Sequence, residues 1–545
     1  MSKIPDMKKD ENKIGDFYWA YADILRGIGI NESVYDQRIL AFMALKLLVD
    51  NKKTQFTFDW RDKFGLTDAK YQEYEADNII NTFLNIIADI KNLGSNLSYF
   101  NQPSYMTPAQ DSVENSVEES CLIYLDHKKT FTLSQYIEEL EEPRYLEMVL
   151  DIYVEKANFI DYPSEKYKDL YETTIARMKK LSGTLTGQHF TQKSIIHLAC
   201  ASALESIRKD EKIAIYDPTC GVGSMVIESA IYFDNNLNKT PTGKRKKTAK
   251  RIAVYGQEYN GQSWLLSKIF LEITSLDGKS QGIENQIAYG NTLTNPIFAK
   301  QINSDKSFNF IIANPPFGVD WKHDHKIIVE DMNSVNSNFE VIKDDKTGKV
   351  VLPKKSDGQF LFMQHIINLM KLEKENRNKD AIACIISSST LISTGADSSS
   401  ESKIRSHIFD MGIVKAVLEQ PKAMFTNTDI SSHLWFLNTN FNKTIKIVKA
   451  DTKEDKLFSP HPYSKDKMKH YYSEDDIERI LDYLSAKKDY EYISKTIRNK
   501  CDGIEISKEI GFKNEDVDID IAQLQNEIKD LVGELYENVQ EIFHV

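Results

Sequence analysis

Several features that would assign this chain to a familiar class at once are scarce or missing. Its five cysteines (Cys121, Cys200, Cys220, Cys384 and Cys501) are odd in number, far apart and never arranged as C-x-x-C. That excludes a disulfide scaffold or a zinc site as the basis of the fold, and a reducing cytoplasm is expected. No run approaches the roughly 18 uncharged apolar residues of a membrane span, and the opening MSKIPDMKKDENK lacks the apolar core of a secretory signal, so no membrane association is expected. Positive charge is short as well: 69 Lys and Arg face 81 Asp and Glu, a formal charge of −12. This is the wrong sign for a protein that grips nucleic acid unaided, so any DNA binding requires a local basic surface or a partner. There is no internal repeat and no evident Ser/His/Asp or metal-ligand set; His189 and His197 read as packing or capping residues, and no metal is expected.

What is present is ordinary globular material, 41% hydrophobic and 28% charged over 545 residues, enough for two to four domains. From Asp16 to about Asp161 the pattern is helical: FYWAYADILRGIG, SVYDQRILAFMALKLLVD and ADNIINTFLNIIADIKNL carry apolar residues at three- and four-residue steps. A boundary is expected near Pro163. Beyond it, short β-rich runs alternate with helical patterns: KIAIYD, RIAVYGQE, NQIAYG, FNFIIA, AIACIIS, GIVKAVLEQ, HLWFLN and TIKIVKA. This predicts an α/β architecture with a doubly wound, Rossmann-like, mostly parallel sheet ending in an antiparallel edge hairpin. The span Val319 to Asp357 has weak periodicity and many charges; loops of that length are usually functional or disordered. Past about His461 the chain is polar and helical, and Ile521, Leu524, Ile528, Leu531, Leu535 and Ile542 form a heptad seam, packed either on its own domain or on a partner helix.

Two strand ends carry the chemistry. In IAIYDPTCGVGSMV an apolar strand runs into Asp217, Gly221 and Gly223 and then a helix; glycines there permit a tight turn and close approach of backbone to a ligand. The next strand, RIAVYGQEYN, ends in Glu258, where an acid can accept from ribose hydroxyls. Ser224, Met225 and Val226 offer no third glycine, so a nucleoside without a pyrophosphate is favoured, such as S-adenosylmethionine.

The second strand end is FNFIIANPPFG. An Asn-Pro-Pro run can simply stop a strand. It can also hold a planar amine: the Asn314 side-chain oxygen and the Pro315 carbonyl are two acceptors, Pro316 restricts the backbone that aims them, and Phe317 offers a face for a flipped-out base. Two acceptors are what an adenine amino nitrogen needs, because its lone pair is otherwise delocalised into the ring.

Together, GQHFT, DPTCGVG and NPPF in that order resemble the modification (M) subunits of type I restriction–modification systems, DNA adenine methyltransferases of the gamma class. FYWAYADILRG, ILAFMALKLLVD, SDGQFLFMQHIINLMK and KIRSHIFDMGIVKAVLEQPKAMFTNTDISSHLWFLN extend the resemblance over roughly Asp16 to Ala450. It implies a helical N-terminal domain (1–163), an S-adenosylmethionine-dependent methyltransferase domain (164–460) and a helical C-terminal segment (461–545) ending in a partner-binding helix. The implied reaction is methyl transfer to the 6-amino group of adenine in DNA. The implied partners are a specificity (S) subunit that chooses the target, with two M chains per S, and a restriction (R) subunit.

The resemblance also assigns residues. Asn314, Pro315, Pro316 and Phe317 would be catalytic. Gln188, His189, Phe190, Thr191 and Gln192 match the segment over the methionine part of the cofactor, where Thr191 can equally cap a helix. Asp217, Thr219, Cys220, Gly221 and Gly223 match the cofactor turn, Glu258 the ribose acid, and Asn291 the position near the cofactor adenine. Gln192 replaces a usual proline, Asn291 a usual aspartate, and ISSST (Ile386 to Thr390) a proline-containing turn; Asn291 is expected to keep an acceptor oxygen for the cofactor's amino group. The basic run GKRKKTAKR (Gly243 to Arg251) is either solvated surface or a phosphate contact. Competing readings are a protein glutamine methyltransferase, a stand-alone adenine methyltransferase and a non-catalytic assembly subunit.

Overall fold

The computed structural model describes residues 4–30, isolated positions and a short hairpin between 39 and 174, and most of 191–484; the longest gaps in that last span are 275–284, 300–307 and 462–469. The terminal heptad, the Pro163 boundary, and Gln188, His189 and Phe190 lie outside the described residues.

All eight predicted strands form one sheet: β3 (Lys212–Asp217), β4 (Arg251–Glu258), β5 (Asn285–Tyr289), β6 (Phe310–Ala313), β7 (Ile382–Ser388), β8 (Val414–Glu419), β9 (Ser432–Asn438) and β10 (Lys446–Lys449), in the order β10-β8-β9-β7-β6-β3-β4-β5. Every pairing is parallel except those of β9, which runs antiparallel to both β7 and β8. The hairpin β8–β9 is therefore present, but it is not the edge as expected: β9 turns inward and β10 closes the sheet. Burial explains the order. Six of the seven β9 residues are buried, which suits a strand with neighbours on both sides, whereas Lys446 and Lys449 of β10 remain partly open, as on a protected edge.

Strand alternation sorts the side chains into two layers. Ile213, Ile215, Ile252, Val254, Phe310 and Ile312 face one apolar cluster; Ala214, Tyr216, Ala253, Tyr255, Ile311 and Ala313 face the other. The helices α1 (Ile4–Gly27), α2 (Lys193–Ile207) and α3 (Ser224–Phe233) contribute to the first cluster. In α1, Ile14, Phe17, Tyr18, Tyr21, Ala22, Ile24 and Leu25 are buried at helical spacing, and Ile39, Met43 and Leu47, four apart, are fully buried with them. The N-terminal region also holds a small hairpin, β1 (Tyr124–Asp126) with β2 (Lys129–Phe131), that helical periodicity did not predict.

The Val319–Asp357 span is not structureless. It contains α4 (His325–Met332) and a small core of its own, in which Trp321, Ile328, Met332 and Phe339 pack on Leu293 and on Leu361 and Phe362 of α5 (Gln359–Arg377). Trp321 is almost fully buried, its amide donates to the Lys355 carbonyl and its indole N–H to the Lys354 carbonyl, both at 2.9 Å. Among the described residues no helix is long and apolar enough to cross a membrane, and no group of His, Cys, Asp and Glu is arranged to hold a metal.

Candidate active site

In a doubly wound sheet, ligands collect beyond the carboxyl ends of the parallel strands. Here β3, β4, β5 and β6 bring Asp217, Glu258, Asn291 and Asn314 to that end, and β3 is the neighbour of both β4 and β6. The β3–β6 pairing is brief, so a side chain reinforces it. Asn309 accepts from the Ala214 amide (2.7 Å) and donates to the Lys212 carbonyl and to Asp210 (both 2.9 Å). A buried asparagine inside the apolar run FNFIIA was the signal for this staple, and the sequence reading passed it over.

The turn after β3 is built by its glycines. Gly221 (φ 55°) and Gly223 (φ 82°) hold left-handed backbone, the Cys220 amide donates to the Gln257 carbonyl (3.0 Å), and α3 starts directly after Gly223. Gly256 on β4 is equally constrained: a Cβ there would stand 2.8 Å from the Cys220 sulfur and 2.7 Å from Ile287 Cδ1.

Within this turn Asp217 is almost fully buried. Its Oδ1 accepts from the Thr219 amide (2.8 Å) and hydroxyl (3.2 Å), while its buried Oδ2 has no partner among the described residues. Burial pushes this carboxyl up to about 7; the two Thr219 hydrogen bonds oppose the shift and the neighbouring Glu258 charge adds to it. Burial also raises Glu258, against the amides that donate to it: Asn260 to Oε1 (2.7 Å) and Gly221 to Oε2 (2.8 Å). The Tyr259 amide also donates to this carboxylate, which with about four acceptor positions keeps one for a further donor. The half-exposed ring of Tyr259 follows at once, an aromatic face that the sequence reading missed.

The turn after β5 is tied to the same corner. Gln257 donates to the Gly290 (3.2 Å) and Asn295 (2.9 Å) carbonyls, the Gly290 amide donates to the Glu258 carbonyl (2.9 Å), and the Thr292 hydroxyl donates to the Pro218 carbonyl (2.5 Å). Asn291 departs from expectation. Its Oδ1, expected to await a ligand, accepts the Leu293 amide at 2.9 Å, an Asx-type turn, and its Nδ2 donates to Asp324 at 2.9 Å.

At the end of β6, Pro315 is buried, Pro316 exposed, and Phe317 half-buried against the core. The Asn314 amide nitrogen donates to the Thr191 hydroxyl at 3.1 Å, leaving Oδ1 without a partner among the described residues. Thr191 in turn directs its hydroxyl at the Met225 sulfur (3.2 Å). Thr191 therefore does not cap α2: the cap position is Gln192, with no side-chain capping bond. Gln192, read as a cofactor residue, ties three segments together by donating to the Met424 (2.5 Å) and His470 (2.9 Å) carbonyls. His197 is a packing residue, paired with the buried Glu228 at 2.7 Å.

The basic run is elsewhere. It leads into Arg251, the amino end of β4, about 23 Å along the strand from Glu258 at ~3.3 Å per residue. Lys246 and Lys250 there are spent on the Leu237 and Asp210 carbonyls.

The chain that carries this strand-end arrangement beside Asn-Pro-Pro-Phe matches a family profile, that of the N-6 DNA Methylase, over residues 164–520. The chain belongs to this family. Curated relatives include the type I restriction enzyme HindI methylase subunit of Haemophilus influenzae, 25% identical over 321 residues covering 58% of this chain and 59% of the relative. Another is the MpnII methylase subunit of Mycoplasma pneumoniae, 24% identical over 377 residues covering 68% and 61%. The chain thus spans about three fifths of the length of these relatives. The fold matches the crystal structure of a type I restriction–modification methyltransferase subunit from Streptococcus thermophilus with a TM-score of 0.55 at 17% identity, covering 88% of this chain and 94% of that one. A modification subunit of a type I restriction enzyme from Vibrio vulnificus gives a TM-score of 0.51 at 16% identity, over 88% and 90%.

Proposed function

We propose that this chain is the modification subunit of a type I restriction–modification complex and methylates the 6-amino group of adenine in DNA. The observation that carries the reading is Asn314: its nitrogen is held by Thr191 and its oxygen is open, at the carboxyl end of the strand beside the Asp217–Gly223 turn. An amide fixed in that sense can only accept from an incoming amine.

S-adenosylmethionine, when bound, supplies an electrophilic methyl group. The residues present fit it: the unpartnered buried oxygen of Asp217 suits a cationic or N–H-bearing ligand, Glu258 suits ribose hydroxyls, and Tyr259 offers a ring to a purine face. Thr219, Cys220, Gly221 and Gly223 shape the backbone around it. The chain's own part in the chemistry is to draw on both N–H bonds of the target amine. Asn314 Oδ1 takes one and the Pro315 carbonyl the other, localising the nitrogen lone pair, while Phe317 stacks on a base removed from the helix. No general base is required, since the methylated nitrogen is acidic enough to lose its proton to solvent.

The acidic balance of the chain supports a division of labour in which a specificity subunit grips and selects DNA; with it we propose two M chains for each specificity subunit and a restriction subunit that joins for cleavage. The test is transfer of isotope-labelled methyl to DNA by the chain with and without its specificity subunit. Label recovered as N6-methyladenine only in the assembled complex is the expected result. Label in protein glutamine, or none, overturns the reading.

A further inference from the structure

The segment that follows the Asn-Pro-Pro-Phe turn loops back to the cofactor corner. Asp324, immediately before α4, accepts the Asn291 amide through Oδ2 at 2.9 Å. Because Leu293 already occupies Asn291 Oδ1, both ends of that amide are committed. The open acceptor here is the second carboxylate oxygen of Asp324, which has no partner among the described residues. The turn holding Asn291 is anchored to Glu258 through Gly290 and to Pro218 through Thr292. Asp324 itself is anchored through Trp321, whose carbonyl takes the Asp324 amide at 3.1 Å and whose ring stacks on His325 at 5.3 Å.

Because β5 adjoins β4 and the Gly290 amide is bonded to the Glu258 carbonyl, the turn after β5 stands next to Glu258, on the side where the base of a nucleoside held by that acid would be met. An exocyclic N–H finds a stronger acceptor in a carboxylate than in an amide oxygen already engaged by backbone. We propose that Asp324 receives the 6-amino group of the cofactor's purine, and that, as part of the segment carrying Asn314, it makes the base-holding loop respond to cofactor occupancy. Asp324 is then a cofactor-binding residue, and Asn291 is the positioning residue that aims it. This rests on the cofactor assignment above.

The test is calorimetric titration of the full chain with S-adenosylhomocysteine and with its 6-oxo counterpart, S-inosylhomocysteine, alongside hydrogen exchange over 315–332. The wild type should prefer the amino ligand on the order of tenfold or more, and ligand should protect 315–332. Asp324→Asn, which removes no side-chain cap from α4, should bring the two ligands near parity and abolish the protection. The swap Asn291→Asp with Asp324→Asn exchanges the two ends of one hydrogen bond and should restore part of the preference. Unchanged discrimination in Asp324→Asn overturns the inference while leaving the cofactor assignment intact; a wild-type chain that binds neither ligand overturns both.

Discussion

Asn314 and Thr191, 123 positions apart in the chain, meet through one hydrogen bond of 3.1 Å that decides which way the Asn314 amide faces. Thr191→Val keeps the shape and deletes the acceptor, leaving the amide nitrogen unpaired and free to turn. Methylation should fall by about 10–100-fold, the equivalent of one hydrogen bond to a positioned group, with cofactor affinity changed only a few-fold. Asn314→Ala should cost more, on the order of 10²–10³-fold or beyond. Single-turnover methyl transfer beside equilibrium cofactor binding separates the two effects.

Asp217 sets a pH dependence. Its folded pKa, about 7, lies above the ordinary carboxylate value, so between those limits the native state binds more protons than the unfolded one. The associated stability is full at acid pH and is lost as pH rises through about 7. Asp217→Asn should flatten this decline between about pH 4 and 7. Urea unfolding of both proteins across that range is the check, and parallel curves would contradict the assignment.

Gly256 tests the packing of the Asp217–Gly223 turn. Gly256→Ala drives a methyl group against the Cys220 sulfur and Ile287, and should destabilise the protein by about 1–3 kcal/mol. Combining it with Cys220→Ala removes the sulfur and should recover part of the loss. Denaturant midpoints of the three variants measure this directly.

Trp321→Ala should loosen the small lobe rather than the sheet. The indole is buried in a cluster separate from the two layers that cover the strands, and removing a fully buried tryptophan costs about 3–5 kcal/mol. Hydrogen exchange should quicken across 319–357 while β3, β4 and β6 remain protected.

The strands were legible because each is a short apolar run bounded by turn residues, and the Asp217–Gly223 turn because only glycine tolerates φ of 55° and 82° without strain. What sequence could not show were meetings between distant segments. The lobe at 319–357 looked structureless because its core is assembled from Leu293, Trp321, Ile328, Met332, Phe339, Leu361 and Phe362, which share no local period. The inward placement of β9 is a competition among strands, settled by which one gains from two neighbours. Thr191 looked like a helix cap because its position before α2 suits one; its hydroxyl instead serves a residue on another strand. Asn291 could be seen to lack a carboxylate, but not that Asp324 stands beside it.

A thiol in a glycine-rich turn at a strand end is commonly a weakness, open to alkylation and to oxidants. Cys220 escapes this: burial and the charges of Glu258 and Asp217 hold it well above the ordinary thiol range, and Gly256 lets the sulfur nest against the next strand. Native protein should accordingly resist iodoacetamide at this position until it unfolds, so peroxide stress that inactivates enzymes with exposed thiolates leaves this turn chemically untouched.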